Sequence, residues 1–138
     1  MNAAVVEQNK AWIEATWEKI DTKLSKTAVK SRNKIPYTTV EGVHDDKSGK
    51  DVSWWTNGFW GGTMWLMYAA TGNEEYRKTA ERSEELLDEA LKQFDKIHHD
   101  VGFMWLLSSG ANYRLTGNEA AKNKTLITAA ILAARSDT

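Results

Sequence analysis

Apolar and polar positions fall into two alternating textures along this chain. From Phe59 to Ala70 the residues are apolar nearly all round, the pattern of a helix buried on most sides. Gly72 follows and can adopt the left-handed conformation that stops a helix. Asn73 suits the N-cap of a second helix, with Glu74 and Glu75 at its positive end. In that helix Tyr76, Ala80, Ser83, Leu87, Ala90 and Phe94 share one face and charged residues lie opposite, so it reads as amphipathic. The pattern then repeats, with a buried stretch from Phe103 to Leu115 and an outer stretch from Glu119 to Arg135. Ahead of both, Val5, Trp12, Ile13, Trp17, Ile20 and Leu24 form one apolar stripe, predicted to be the outer helix of a preceding unit. Between them, Lys34 to Ser53 holds the only proline and many polar residues, a long loop of the kind that often carries function. No stretch alternates as a strand does. The expected class is all-α, built from α-hairpin repeats, with residues 1–138 as a single domain.

The repeat has a fixed period. "YAATGNE" from Tyr68 and "YRLTGNE" from Tyr113 agree at five positions, at an offset of 45 residues. The same offset carries Trp60 onto Trp105, Leu86 onto Ile131 and Leu87 onto Leu132. Applied to Asp100 it lands on Trp55, so both residues are expected at the start of an inner helix. In an array of α-hairpins such starts gather at one end of the inner layer.

Composition narrows the function classes. With 18 basic and 19 acidic residues and no basic block, nucleic acid is not an expected partner. There are no cysteines, which excludes disulfides and thiolate metal sites. The longest apolar run, Met64 to Ala70, is far below the roughly 18 residues of a membrane helix, so no membrane partner is expected. "MNAAVVEQNK" lacks a basic region followed by an apolar core. A cytoplasmic location is expected, or a periplasmic or secreted one if a signal was removed.

Seven tryptophans, five of them between Trp54 and Trp105, change the picture. Rings stack on the C–H faces of a sugar, and a carboxylate moves protons or binds hydroxyls. Tryptophan and aspartate gathered at one cavity would suit a saccharide. Bland readings stand beside this one. Phe59, Trp60 and Trp65 fit a core, whereas Trp55 precedes the apolar run. Asp100 could serve as an N-cap. His98 and His99 are adjacent and expected to diverge, a poor metal pair, with one exposed and the other hydrogen-bonded nearby. No metal is expected. Asp45, Asp46 and Asp51 read as solvated loop residues, and Asn57 as a turn residue or a sugar-binding amide.

"WWTNGFWGGTMWLMYAATGNEEYRKTAE" followed by "HHDVGFMWLLSSGANYRLTGNE" resembles the unsaturated glucuronyl hydrolases, family 88 of the glycoside hydrolases. The similarity runs from about Lys34 to Arg135. It implies a toroid of six α-hairpins with its site in the central cavity. It also implies oligosaccharide substrates bearing a 4,5-unsaturated uronic acid, and hydration of that double bond without cofactor or metal. In the family's reaction an acid protonates C4, water adds at C5, and the hemiketal collapses to release the aglycone. By the same resemblance Asp100 matches one of two essential aspartates and Trp55 a ring against the unsaturated sugar. His99 matches a histidine that orients Asp100 or touches substrate, and Asn57 belongs to the same motif. The second aspartate has no counterpart here, so the chain is expected to be an N-terminal half, inactive alone, that self-associates or pairs with a C-terminal half. Roughly three of the six implied hairpins fit its length. Two other readings remain: a helical-repeat interaction module, and a sugar binder without catalysis.

Overall fold

The computed structural model describes residues 3–135. Its order is α1 (Ala3–Gln8), α2 (Lys10–Lys30), a loop bearing the short strands β1 (Thr39–Val40) and β2 (Val43–His44), then α3 (Asn57–Thr71), α4 (Glu74–Leu87), α5 (Val101–Leu107), α6 (Ser109–Thr116) and α7 (Glu119–Ala133). Two 3₁₀ turns, Asp88–Lys92 and Phe94–Lys96, join α4 to α5. The fold is all-α. Helix α3 pairs with α4 and α5–α6 with α7, giving two neighbouring hairpins.

The repeated heptapeptide builds the same turn twice. Gly72 and Gly117 are left-handed, at φ 68° and 73°, and their N–H groups donate to Tyr68 and Tyr113 carbonyls at 2.8 and 2.9 Å. Asn73 Oδ1 then accepts from the Glu75 N–H, and Asn118 Oδ1 from those of Ala120 and Ala121. These are the C-cap and N-cap that the sequence pattern predicts. Even the cation over the ring recurs, Arg77 on Tyr68 and Lys122 on Tyr113.

The predicted apolar face of the outer helix α4 is buried: Tyr76, Ala80, Ser83, Leu87 and, just past the helix, Ala90 are all closed to solvent. Phe94 is a correction. The helix tightens into 3₁₀ turns after Leu87, which rotates Phe94 outward to 59% exposure. Two apolar clusters result. One joins Ile35, Val52, Leu87, Ile97, Val101, Met104 and Trp105; the other joins Ala28, Met64, Trp65, Met67, Tyr76 and Ala80.

Three further expectations are corrected. The second inner stretch is not one helix, because it breaks at Ser108 (φ −96°, ψ −87°) into α5 and α6. The apolar stripe of α2 is not core: Trp12 is 69% exposed, and Ile13, Trp17 and Ile20 are exposed as well. Helix α2 docks on α4 through its second half, where Tyr76 Oη donates to Asp21 and Thr79 Oγ1 to the Ala28 carbonyl. The loop carries a two-residue hairpin, turned by Glu41 (φ 50°) and Gly42 (φ 75°), the positive pair that a tight hairpin turn requires. Nor are its aspartates merely solvated. Asp45 Oδ1 accepts the N–H groups of Tyr37 and Thr38, and Asp46 Oδ1 those of Ile35 and Ser48.

The inner helices α3 and α5 run side by side in the same direction. A Cβ on Gly58 would stand 2.3 Å from the Met104 carbonyl oxygen, and one on Gly62 would stand 3.1 Å from Leu107. Backbone meets backbone there, and only glycine permits it. The pairing 58 with 104 and 62 with 107 holds the inner helices within a residue of the sequence period. Their N-terminal ends therefore lie together.

Candidate active site

The segments ahead of α3 and α5 meet directly. His98 Nε2 lies 2.9 Å from the Ser53 carbonyl oxygen, and the two residues are again 45 apart. This bond fastens the start of one inner helix to the start of the next. Asp100 follows on the second segment and Trp55 on the first.

Asp100 occupies the N-cap position of α5, yet its side chain makes no capping hydrogen bond. Its main-chain carbonyl instead accepts the N–H groups of Phe103 and Met104. The simple capping reading of this carboxylate is thereby corrected. The carboxylate turns back toward the histidines: Oδ2 is 3.1 Å from His98 Nδ1 and 3.5 Å from His99 Nε2. The Asp100 side chain is 19% exposed and that of His99 85%. So the two histidines do not diverge from a common point. One ligand atom from each of His98, His99 and Asp100 lies within 4.8 Å of the others, a spacing that a small cation could fill. The bland reading of the pair also holds in detail, since His99 is the exposed ring and His98 the bonded one.

Trp55 is 42% exposed, with Phe59 edge-on at 6.0 Å. It lines an open cavity of about 430 Å³ with Pro36, Tyr37, Thr56, Phe59, Trp60 and Thr63. Asp100 and His99 are not in the walls of that cavity. Asn57 is buried, and its amide donates to the carbonyls of Asp51 and Val52, both at 2.9 Å, while Oδ1 has no partner. Its amide N–H₂ thus ties the loop to the first turn of α3. Of the rings read as core, Trp65 is fully buried and Trp60 half-buried, whereas Phe59 is 44% exposed and faces open space.

Two structural features go beyond the sequence reading. His98 is one, although the period points to it by carrying Ser53 onto it. The other is Glu84, which lies in the acidic run of α4 and is buried. Its Oε1 accepts from Trp65 Nε1 at 2.7 Å; Oε2 accepts from Ser109 Oγ at 3.1 Å and Asn112 Nδ2 at 3.2 Å. Burial pushes this carboxyl above the ordinary glutamate range, against the pull of those three donors. Glu84 is eight residues after Tyr76 and four after Ala80, so helical spacing alone sets it on the inward face.

Curated relatives match part of the chain. An unsaturated glucuronyl hydrolase of Bacillus sp. (strain GL1) is 40% identical over 82 residues, 59% of this chain and 22% of that protein. Unsaturated chondroitin disaccharide hydrolases of Streptococcus pneumoniae (strain ATCC BAA-255 / R6) and Streptococcus agalactiae serotype III (strain NEM316) are 35% and 33% identical over 77 residues, each 55% of this chain and 19% of the relative. The match thus spans about a fifth of the length of these relatives. No family model matches the sequence, and no solved structure does. The chain is a partial match to the unsaturated glucuronyl hydrolases, and its similarity is to glycoside hydrolases. Among the described residues no helix is long and apolar enough to cross a membrane.

Proposed function

We propose that this chain forms the part of an unsaturated uronyl hydrolase that carries one essential carboxylate, Asp100, and a sugar-facing ring, Trp55. The substrate class is an oligosaccharide ending in a 4,5-unsaturated uronic acid, and the reaction is hydration of that double bond. One observation carries the reading. At the start of α5 a carboxylate spared from capping stands between two imidazoles, tied to the segment that presents Trp55. The name of the relative at 40% identity supports it. Protonation at C4 creates an oxocarbenium-like centre. A carboxylate beside it stabilises the charge and takes the proton of the attacking water. In this proposal His99, the exposed ring, touches substrate. Asn57 acts indirectly, by holding the loop from which Trp55 projects.

On this reading the 138 residues alone turn substrate over weakly, because the chemistry takes a general acid besides Asp100. Such groups contribute about 10²–10⁴-fold each. The test follows loss of the double-bond absorbance with an unsaturated uronyl disaccharide. Turnover should be slight with this chain. In a longer protein that includes it, Asp100→Asn should remove most of the activity with the fold intact. Robust turnover by the chain that survives Asp100→Asn would sink the assignment.

The reading includes assembly as a half toroid. The inner helices leave Leu66 73% exposed, with Phe103, Leu106 and Leu115 also open. An apolar cleft of about 400 Å³ runs between α3 and α6, lined by Phe59, Leu66, Ala69, Leu107 and Leu115 among others. Apolar patches beyond a few hundred Å² are uncommon on monomers. A second copy, or further hairpins of the same protein, would cover this face. Light scattering should find dimers at tens of micromolar, and a well-behaved monomer would remove the second-copy version.

A further inference from the structure

Trp60 stands in the wall of three adjoining cavities. The first is the open one that Trp55 also lines. The second, of about 400 Å³, shares Pro36 and Tyr37 with it. The third, of about 430 Å³, shares Thr39 and His44 with the second and lies between the end of α2 and the β1–β2 hairpin. The wall of this third cavity carries Lys23, Lys30 and Lys34 and no aspartate or glutamate. Lys34 is engaged, since its ammonium donates to the His44 carbonyl at 2.6 Å and its charge reaches Asp46. Among the described residues the ammonium groups of Lys23 and Lys30 have no acid paired with them.

Contacts within the wall hold its shape. His44 Nδ1 lies 2.8 Å from Ser31 Oγ, and the His44 ring stands edge-on to Trp60 at 5.8 Å. The carbonyls that end α2 bring about half a negative charge to this place, less than two free ammonium groups supply. The cavity is therefore net positive and lacks an anion of its own. We propose that it is a subsite for an oxyanion, sulfate or carboxylate, borne by the sugar chain beyond the unsaturated residue. The chain runs from Trp55 past Tyr37 and Trp60, and its acidic group meets Lys23 and Lys30. An ammonium is a point charge with three rotatable donors, so it takes either oxyanion without demanding a fixed plane. Lys47 has no share in this, because it lies over the rings of Tyr37 and Trp54 and pairs with Asp51 at 3.9 Å. Lys23 and Lys30 are exposed, so their attraction is modest and sensitive to salt. Such a subsite selects acidic chains over neutral ones and does not by itself anchor them.

The subsite rests on the reading of Trp55 as a sugar-facing ring. Its test is binding to the 138-residue protein at low salt, followed by NMR through backbone amide and indole N–H signals. The probes are the unsaturated chondroitin disaccharide without sulfate, the unsulfated unsaturated tetrasaccharide, which adds a uronate carboxylate, and the sulfated tetrasaccharide. At least one tetrasaccharide should bind about threefold tighter than the disaccharide, or more, and move the signals of Trp60 and of Lys30 to Lys34. A gain already present without sulfate identifies the carboxylate as the group bound, and a gain only with sulfate identifies the sulfate. Lys23→Gln combined with Lys30→Gln should abolish the gain and leave the disaccharide unaffected. Lys10→Gln combined with Lys19→Gln removes the same charge toward the other end of α2 and should leave the gain in place. All four lysines are exposed, and amide dispersion checks the fold of each variant. Equal affinity for the three probes would overturn the subsite. So would a gain that survives loss of Lys23 and Lys30, or one that loss of Lys10 and Lys19 removes as well. Trp55→Ala separates the two readings. If Trp55 faces no sugar, that change alters no affinity, and the lysine-dependent gain stands or falls on its own. If only the subsite is wrong, Trp55→Ala weakens all three probes and the lysine pair changes nothing.

Discussion

The two hairpins share a period, a turn and a pair of caps, yet they are packed differently. In the first, Met64 and Met67 point from α3 into an apolar cluster with Ala28, Tyr76 and Ala80. Forty-five residues later their places are taken by Ser109 and Asn112, which point from α6 to the buried carboxylate of Glu84. Helix α3 is continuous, whereas its counterpart breaks at Ser108, where Ser108 Oγ donates back to the Met104 carbonyl at 2.6 Å. Thr63, the equivalent residue, makes the same bond to the Phe59 carbonyl without a break. The hydroxyl is therefore not what interrupts the helix. The interruption coincides with α6 directing two polar side chains at Glu84. The outer helices differ in the same sense. Helix α4 buries six residues between α2 and the inner helices, while α7 buries Ala121 and Thr128 and leaves Leu126 and Ile127 exposed. A shared backbone plan thus serves one apolar joint and one polar joint, and neighbours decide which.

The largest test removes the polar joint. Glu84→Leu leaves the Trp65 and Asn112 donors unpaired in the interior, at about 1–3 kcal/mol for each such group. A loss of about 3 kcal/mol or more is expected in urea unfolding. A loss below about 1 kcal/mol would mean the two joints are not different in kind. Next comes the seam between the hairpins. Gly58→Ala drives a methyl into the Met104 backbone and should cost about 1–3 kcal/mol, typical of overpacking. Gly102→Ala meets only the tip of Leu132, at 3.0 Å, and should cost clearly less in the same urea unfolding.

The duplicated turn gives a smaller, matched pair. Gly72→Ala and Gly117→Ala each force a side chain into the left-handed region, with open space around the added carbon. Each should cost about 1–2 kcal/mol, and the two values should agree within error, since the local geometry is the same. Unequal values would limit the equivalence to appearance. The slightest effect is a slope with pH. The folded state raises the Glu84 carboxyl, so its contribution is full below the unfolded value of 4.5 and is lost as pH rises through the folded value. Backbone N–H groups, that of Thr38 foremost, hold Asp45 below its usual 3.8. At Asp46 burial pushes upward, but the N–H bonds from Ile35 and Ser48 prevail and the carboxyl is lowered. Both contribute above the unfolded value and lose that contribution as pH falls through the folded one. Stability of Glu84→Gln relative to wild type should therefore improve with rising pH from about 4.5, and Asp45→Asn should flatten the acid limb below 3.8. Circular-dichroism melts across pH read both slopes.

Much of the architecture was legible because it is local. A glycine that must be left-handed, an asparagine that must cap and a helical face spaced from Tyr76 to Ala90 need no distant partner to be recognised. The 45-residue period also carried real spatial content, since Ser53 and His98, one period apart, touch. What escaped depends on distant neighbours. The stripe from Trp12 to Ile20 satisfies every rule for a buried face, yet nothing among the described residues covers it. The acidic look of "ERSEELLDEA" masks one buried carboxylate among exposed ones. Asp45 and Asp46 look solvated because backbone N–H groups leave no mark in composition. At the candidate site the period set Trp55 and Asp100 at neighbouring helix starts. It could not tell that both histidines turn to Asp100, nor that His98 meets a carbonyl of the previous repeat.

Repeat proteins built from hairpins that touch only their neighbours tend to come apart one unit at a time. Glu84 works against that tendency. Its carboxylate belongs to the first hairpin, and two of its three donors belong to the second. Opening the second hairpin alone would strand a buried acid, and opening the first would strand Ser109 and Asn112. Amide hydrogens of α3, α4 and α6 should therefore exchange as one block, with those of α7 released earlier. A single buried side chain thus ties the two repeats together.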